Sequence, residues 1–402
     1  MTKPKKDSSS GVKGKTYGEI KTRASEGNAV VMTAMEFKEF VRSNGVKKAA
    51  NEVDIVTTGT FGAMCSSGAY FNLGHSDPPI KIQRAWLDGV PAYAGLAAVD
   101  LYLGATELDE SNNMMHGGAH VIEDLVRGKA VRLRATATST DCYPLKEIDT
   151  YVSLKTMNQA VMMNVRNCYQ NYAAAANSSQ KTLYTYMGKL LPELGNATYS
   201  SAGELSPLMN DPYYRTIGIG TRIFLGGGEG FVAWEGTQFN PGVARTPRGV
   251  PKRPAGSLAV IGDLNQMSPE FVKGLTFTRY GASLGVGIGV PIPILDEDMA
   301  NACAVTDDKI FTAIFDYALQ KRSRAVLKEV SYAELNSGEV SVKGKRVPTS
   351  PLSSLYKARE ITTMLKKRIL DGSFVITEPV QRLPMKKQMK TLETRSEKEA
   401  MK

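Results

Sequence analysis

Apolar and polar residues recur with two different periods in the first sixty residues of the chain. The segments TYGEIKTRASEG (16–27) and AMEFKEFVRSNG (34–45) space their apolar residues as helices do, and each closes with a glycine typical of a helix C-cap. Between them AVVMT (29–33) predicts a strand, and VDIVTTGT (53–60) predicts a second one. We therefore expect helices and strands to alternate from the start of the fold.

The same two patterns continue toward the C-terminus. Glycine-punctuated segments at 215–236 and 274–294 predict β structure in which the glycines admit close backbone packing or a small ligand, and 240–257 between them predicts a loop. Further strands are predicted at 80–89, 130–139, 148–165 and 373–379, and further helices at 120–129 and 350–372. This order favours a mixed α/β or α+β fold, with strands alternating with helices and Gly-rich β segments in the second half.

The charge of the chain is concentrated at its two ends. The 402 residues carry a formal net charge of +10, and residues 1–15 and 383–402 together account for +7 of it. The body between them is close to balanced and lacks the basic, aromatic-interleaved face that nucleic-acid binding requires, so we expect no nucleic-acid partner. We predict a disordered basic tail at 1–16, a folded region at 17–383 with room for two subdomains, and a disordered charged tail at 384–402.

The cysteines and the apolar segments indicate a cytoplasmic protein. Cysteines at 65, 142, 168 and 303 form no CxxC pair and no zinc-finger spacing. The sequence has no apolar N-terminal leader, and its most apolar stretch (92–105) is short and interrupted by Asp100, so we expect no membrane segment. In a reducing compartment such thiols stay free or take part in chemistry.

Cys65 lies among glycines, serines and small apolar residues, directly after a predicted strand. This position is typical of a βα loop, where backbone N–H groups stabilise a thiolate, although a small buried thiol is an equally simple interpretation. Cys142 also follows a predicted strand, with Pro144 marking a loop. Two cysteines at strand exits can meet at one edge of a sheet and form a transient disulfide or share a sulfur atom.

The other candidate residues carry weaker signals. Cys168 and Cys303 are interpreted as core residues, and an iron–sulfur site built from the four cysteines has no spacing to support it. His75 follows Cys65 by ten residues and is either an acid–base group folded back onto the thiol or a hydrogen-bonded turn histidine. The HGGAH pair, His116 and His120, is a poor zinc motif because its glycines weaken the helix that such a ligand pair needs.

Four segments of the sequence resemble one known family. VTTGTFGAMCSSGAYFNLGHSDPPIK (56–81), ATSTDCYP (137–144), RNCYQNYAAA (166–175) and GTRIFLGGGEGFVAWEGTQFNP (220–241) are similar to the homocysteine-biosynthesis family, whose members act as L-aspartate semialdehyde sulfurtransferases. The resemblance extends from about residue 17 to 383. Archaeal relatives often add a C-terminal pair of CBS domains, and we expect none in this chain.

The resemblance implies a cysteine-based transfer of sulfur. Cys65 and Cys142 match the two cysteines of the family's proposed chemistry, in which one carries a persulfide whose sulfur adds to the aldehyde, and the second helps release it as the adduct is reduced to homocysteine. Electrons would come from a small ferredoxin-like partner with [4Fe–4S] clusters. We therefore expect Cys65 and Cys142 to lie close together, with His75 nearby, and Arg166 or Arg222 to bind the substrate carboxylate.

Two alternatives stay open at this point. The same cysteines would serve an iron–sulfur or metal-binding protein, in which the cluster is bound on this chain and not only on a partner. A non-catalytic scaffold for a redox partner would need neither thiol. A homo-oligomer is compatible with all three hypotheses.

Overall fold

The computed structural model describes residues 14–111, 114–321 and 323–396, and it confirms a mixed α/β fold. The helices are α1 (Tyr17–Ser25), α2 (Ala34–Asn44), α3 (Val46–Glu52), α4 (Gly118–Val126), α5 (Pro207–Asn210), α6 (Glu297–Cys303), α7 (Tyr332–Asn336) and α8 (Leu355–Leu370). Strands β1–β12 are Val31–Thr33, Ile55–Ala63, Ser67–Asn72, Arg84–Leu87, Val90–Ala92, Asp100–Gly104, Val131–Thr136, Glu147–Val152, Gln159–Asn167, Ala174–Ala176, Leu183–Thr185 and Gly188–Leu190. Strands β13–β24 are Ala197–Tyr199, Gly218–Ile219, Arg222–Leu225, Gly228–Glu235, Leu258–Asp263, Val272–Phe277, Gly281–Pro293, Phe311–Asp316, Val326–Ser331, Glu339–Val342, Lys345–Pro351 and Gln381–Arg382.

The N-terminal helices begin where the sequence supplies capping groups. Thr16 caps α1 and Thr33 caps α2, and in both cases a glutamate three residues later completes a reciprocal capping box. Gly45, at φ 83°, ends α2 in a backbone conformation that favours glycine. These local signals explain why both helices lie where the pattern predicts them.

The largest sheet curls back on itself. Its main path runs β1-β2-β19-β15-β16-β17-β9-β3-β6, and β18 pairs with β19 beside it. Strands β2 and β3 are the second and eighth in that order, yet only the three residues 64–66 join them. In a flat sheet this distance would be about 29 Å, because neighbouring strands lie about 4.8 Å apart. A link of this length spans at most about 14 Å, so the sheet must close toward a barrel at this point.

Glycines let helix α8 lie directly on the curled sheet. A Cβ on Gly59 of β2 would come within 2.6 Å of the Ala358 carbonyl oxygen, and one on Gly289 of β19 would come within 2.7 Å of Ile361. All thirteen residues of β19 are buried. The glycines of the 274–294 segment thus serve close packing, which is one of the two roles that the sequence predicts for them.

Two smaller sheets complete the fold. The sheet β21-β20-β10-β13-β23-β22 encloses a second hydrophobic core, which includes Ile314, Val330 and Val347. The antiparallel sheet β5-β4-β7-β8 carries the loop with Cys142 between β7 and β8. Short ladders join β11 with β12 and β14 with β24.

Three local predictions differ from the structure. The segment 80–89 forms a strand only at Arg84–Leu87, and 148–165 divides into β8 and β9 around a turn at residues 153–158. The predicted strand at 373–379 is irregular, although Phe374 and Ile376 are buried in the core beneath α8. These apolar residues mark burial, and residues 373–379 take part in none of the strand ladders of the described residues.

The predicted tails are described only in part. Residues 1–13 and 397–402 lie outside the described residues. Lys15, which the sequence assigns to the basic tail, donates through Nζ to the Val53 carbonyl at 2.5 Å and pairs with the buried carboxylate of Asp54 at 3.2 Å. Near the other end, Lys387 pairs with Glu235 at 2.5 Å. In the part of the chain that the structure describes, none of the helices combines the length and apolar character needed to cross a membrane.

Candidate functional site

Cys65 lies at the centre of the three-residue turn between β2 and β3. The Met64 N–H donates to the Leu284 carbonyl of β19 at 2.7 Å, and the Met64 carbonyl accepts from both the backbone and the hydroxyl of Ser67. The Asn164 side chain of β9 in turn donates to the Ser67 hydroxyl at 2.8 Å. Hydrogen bonds to β19 on one side and to β9 on the other therefore hold the turn in place.

This geometry corrects one expectation from the sequence. We expected a βα loop, but the chain returns at once into strand β3, so no helix begins at the half-buried Cys65. The glycines and serines around the thiol serve the tight strand-to-strand connection and leave the thiol accessible on one side.

Aromatic side chains from distant segments surround the Cys65 thiol. They form a small cavity of about 40 Å³ beside it, which holds one or two groups of the size of water. The aromatic residues of its wall are Tyr169, Tyr172, Tyr186, Phe277 and Tyr280. The residues next to Cys65 in the sequence are thus mostly small, whereas the residues that surround it in the folded structure are mostly aromatic.

The tyrosines around this cavity are held in their neutral form. Burial raises the pKa of Tyr169, Tyr172, Tyr280 and Tyr317 above the ordinary tyrosine value. The hydroxyls of Tyr186 and Tyr317 lie 2.8 Å apart and form a hydrogen bond. Neutral hydroxyls donate hydrogen bonds, so the wall suits an anionic sulfur or oxygen without adding a negative charge of its own.

Arg166 reaches the same site from β9. The Ser66 hydroxyl donates to the Arg166 carbonyl at 3.0 Å, which holds this residue against the Cys65 turn. The guanidinium interacts with the Tyr169 hydroxyl in the cavity wall, while its buried Nε has no hydrogen-bond partner among the described residues. The structure therefore places Arg166 beside the Cys65 turn, with its Nε–H free, within the described residues, to donate a hydrogen bond.

Arg222 does not belong to this site. It pairs with Glu229 on the adjacent strand at 2.7 Å, and its guanidinium packs over the Phe231 ring. The register from β15 through β19 to β2 places it farther from the Cys65 turn than Leu225, which lies level with Thr60. Of the two arginines that the sequence selects, only Arg166 lies beside the Cys65 turn, where its guanidinium interacts with Tyr169 of the cavity wall.

Cys142 lies away from Cys65. It is exposed in a tight turn between Thr140 and Tyr143, whose backbones bond to each other at 3.0 and 3.1 Å. The His75 ring stacks on Tyr143 with 6.1 Å between ring centroids. His75 comes after the end of β3 and Cys65 before its beginning, and this strand alone is about 17 Å long. The structure brings Cys142 and His75 together, and it does not bring either to Cys65.

This separation overturns the expected direct contact between the two cysteines. Both follow strands, as the sequence indicates, but the strands belong to different sheets: β2 ends in the curled sheet, and β7 ends in the small sheet with β4 and β8. Strand exits meet at one edge only when the strands share a sheet and a direction. The alternative interpretation of His75 is a hydrogen-bonded turn histidine, and the contact that the structure gives its ring is the stack on Tyr143.

Cys168 and Cys303 are core residues, as the sequence predicts. Both are fully buried, and this burial raises the pKa of each thiol well above its ordinary value. The Cys303 thiol donates to the Asn210 carbonyl at 3.2 Å. Neither thiol is placed to act as a nucleophile.

The histidine pair, with His116 just before α4 and His120 in its first turn, also has a structural setting. The rings of His116 and His120 lie 5.8 Å apart, and His120 Nε2 is 3.1 Å from the Thr276 hydroxyl. Burial, aided by the neighbouring His116, lowers the pKa of His120. Within the described residues no three histidine, cysteine or acidic side chains converge as a metal site would require, and the cysteines do not fit an iron–sulfur cluster.

Sequence reasoning missed most of the cavity wall. Tyr169 and Tyr172 stand in the RNCYQNYAAA segment, so their closeness to Arg166 was a usable signal. Tyr186, Tyr280 and Ser283 come from segments that carry no recognisable motif, and only the closure of the curled sheet brings them to Cys65.

Comparison with known proteins covers nearly the whole chain. A family model described as homocysteine biosynthesis enzyme, sulfur-incorporation, matches residues 29–376. An L-aspartate semialdehyde sulfurtransferase from Methanosarcina acetivorans is 51% identical over 92% of this chain and 72% of its own length. A protein of the same name from Methanocaldococcus jannaschii is 50% identical over 92% of this chain and 73% of its own length. No solved structure matches the chain.

Proposed function

The chain belongs to the family of sulfur-incorporating homocysteine biosynthesis enzymes, and from this premise we propose that it transfers sulfur to L-aspartate semialdehyde at Cys65, with only the aldehyde end of the substrate entering the small cavity beside this thiol. The observation that carries this proposal is the half-buried thiol of Cys65 facing a cavity walled by neutral tyrosines. The two relatives at about half identity, both named for this activity, support the choice of substrate.

Cys65 is the sulfur carrier in this proposal. The cavity leaves room for one further sulfur atom on the thiol, and the Tyr169 hydroxyl, which accepts a hydrogen bond from Arg166, keeps its own proton to donate to the negative charge of that sulfur. The outer sulfur of the persulfide forms a bond to the aldehyde carbon. One electron pair then cleaves the sulfur–sulfur bond and regenerates the Cys65 thiol. A second pair reduces the carbon to the thiol level as its oxygen leaves as water.

The electrons come from outside the described residues. We assign them to an iron–sulfur protein of the ferredoxin class, the partner that the resemblance to this family implies. Cys142 acts separately from Cys65, as an exposed thiol at the surface that exchanges with this partner or with the sulfur donor. A direct sulfur–sulfur bond between the two cysteines would require Cα atoms within about 7 Å of each other.

Arg166 binds the carboxylate of the substrate. Its guanidinium interacts with the hydroxyl of Tyr169, a residue of the cavity wall, and its buried Nε is without a partner among the described residues. A planar guanidinium donates two parallel hydrogen bonds to a carboxylate, which would orient the aldehyde end toward Cys65.

An anaerobic turnover assay tests the proposed function. The purified chain is incubated with L-aspartate semialdehyde, polysulfide as the source of sulfur, and a low-potential reductant, and homocysteine is measured by mass spectrometry. We expect the wild type to form homocysteine and the Cys65→Ala variant to form only background amounts, because Cys65 supplies the thiol among the described residues that line the cavity.

Cys303→Ala is the matched control, since it removes a thiol that is buried away from the cavity. It should keep the rate per folded molecule while losing some stability to the space left behind. A wild type that makes no homocysteine, or a Cys65→Ala variant with full activity, would refute the proposal.

A further inference from the structure

Ser283 has a hydroxyl that the fold does not use. It lies in β19, is only 1% exposed, and its Oγ has no hydrogen-bond partner in the part of the chain that the structure describes. A buried hydroxyl without a partner loses its hydrogen bonds to water and gains none in return, so it destabilises the folded state. An unused donor of this kind is available to a ligand.

Ser283 lines the same small cavity as Cys65. The Met64 N–H donates to the carbonyl of Leu284 at 2.7 Å, which holds the Cys65 turn against the strand segment that carries Ser283. Backbone pairing of Ser283 with Leu275 of β18 fixes the other side of this segment. The donor on β19 and the thiol on a turn that is hydrogen-bonded to β19 are thus presented to one cavity by a fixed backbone.

We propose that Ser283 is a catalytic residue that donates a hydrogen bond to the aldehyde oxygen of the substrate while sulfur adds to the carbon. This inference rests on the proposed function and deepens it. Tyrosine hydroxyls in the same wall have partners of their own, such as Tyr317 for Tyr186 and Arg166 for Tyr169. Ser283 is the lining side chain whose hydroxyl is buried and unpaired among the described residues.

The addition step balances without any oxidant or reductant. The outer sulfur of the Cys65 persulfide, as an anion, gives an electron pair to the carbonyl carbon and forms the carbon–sulfur bond. The π pair of the carbon–oxygen double bond moves to oxygen, which becomes an alkoxide and then takes a proton from water to become a hydroxyl. A donor placed at this oxygen stabilises the charge that develops in the transition state.

The Ser283→Ala variant tests the assignment. Removal of one such donor typically lowers kcat by roughly 10²- to 10³-fold. We expect a loss of this size, little change in KM, and a melting temperature equal to or above that of the wild type, because no hydrogen bond within the described residues is lost. Ser283→Thr retains the hydroxyl and should recover part of the rate.

A single-turnover experiment separates a catalytic role from a structural one. The persulfide is first loaded on Cys65 with polysulfide and quantified by mass spectrometry, and its decay is then followed after addition of the aldehyde alone, without reductant, so that only the addition step consumes it. In Ser283→Ala, loading should match the wild type and decay should slow. Ser331→Ala is the control: Ser331 caps α7, so its loss should lower the melting temperature and leave the decay rate unchanged.

The outcomes distinguish this inference from the proposal beneath it. A wild type that forms no homocysteine refutes the proposed function, and with it the role of Ser283. A wild type that turns over beside a Ser283→Ala variant of equal rate refutes the role of Ser283 alone. Impaired loading together with a lowered melting temperature would make Ser283 a structural residue and would also overturn the assignment.

Discussion

At the scale of single residues, the setting of a thiol decides what it can do. Cys65 is half-buried beside a cavity, whereas Cys168 and Cys303 are enclosed in the core, where burial raises the pKa of both thiols. The sequence indicates this difference, because small residues flank Cys65 on both sides. The tyrosines that complete the site could not be predicted, since their contact with Cys65 depends on pairing between strands far apart in the chain.

The same substitution at Arg166 and at Arg222 should have different effects on KM for the aldehyde. Arg166→Lys keeps the positive charge but replaces the planar fork with a single ammonium, so we expect KM for the aldehyde to rise roughly tenfold with an unchanged melting temperature. Arg222→Lys should leave KM unchanged, because Arg222 pairs with Glu229 away from the cavity. Steady-state kinetics of both variants decide the matter: equal KM values for Arg166→Lys and the wild type would remove Arg166 from the carboxylate site.

At the scale of elements, local signals predict helices better than connections. Capping residues place α1 and α2 where the pattern predicts them, and the Gly-rich segments form strands as expected. The apolar run at 373–379 fails as a strand because it fills space beneath α8 without pairing. The Cys65 connection fails as a βα loop for a related reason, since tertiary hydrogen bonds to β19 and β9 set its path.

Replacing a glycine by alanine should change the stability of the fold in opposite directions at Gly59 and at Gly18. A Cβ on Gly59 would lie 2.6 Å from the backbone oxygen of Ala358, so Gly59→Ala must push α8 away from β2. We expect the free energy of unfolding to fall by about 1–3 kcal/mol. In Gly18→Ala the new methyl group meets open space on α1, and stability should rise by up to about 1 kcal/mol. Urea denaturation of both variants measures the free energy of unfolding. A Gly59→Ala variant as stable as Gly18→Ala would contradict the close packing of α8 against β2.

At the scale of the whole molecule, strand order separates residues that the sequence suggests are partners. Cys65 and Cys142 both follow strands, but the curled sheet and the small sheet with β4 and β7 place them toward opposite ends of β3. Sequence patterns identify strands and their ends, whereas strand order depends on pairing across the whole chain. For this reason the presence of two strand-exit thiols could be predicted and their distance could not.

Asp307 links the second core to the rest of the molecule and makes stability depend on pH. Its carboxylate accepts from the Glu204 backbone N–H and from the Asn336 side chain, both at 2.8 Å. Burial, together with the nearby negative charge of Glu204, raises the pKa of Asp307 to about 6, while the cation of Lys38 opposes this shift. The folded state therefore binds the proton more tightly than the unfolded chain, whose carboxyl has the ordinary pKa.

The sign of the pH effect follows from this shift. The stabilising contribution is complete below the unfolded pKa of about 4 and is lost as the pH rises through about 6. The free energy of unfolding of the wild type minus that of Asp307→Asn, which stays neutral, should thus fall between pH 4 and 7, by on the order of 2 kcal/mol. Asp308→Asn is the control. The exposed carboxyl of Asp308 has a lowered pKa, so the difference in free energy of unfolding between the wild type and this variant should stay constant above pH 4. Denaturant titrations between pH 4 and 7 measure these free energies of unfolding. A difference between the wild type and Asp307→Asn that stays constant or rises with pH would show that Asp307 is ionised in the folded protein over the whole range.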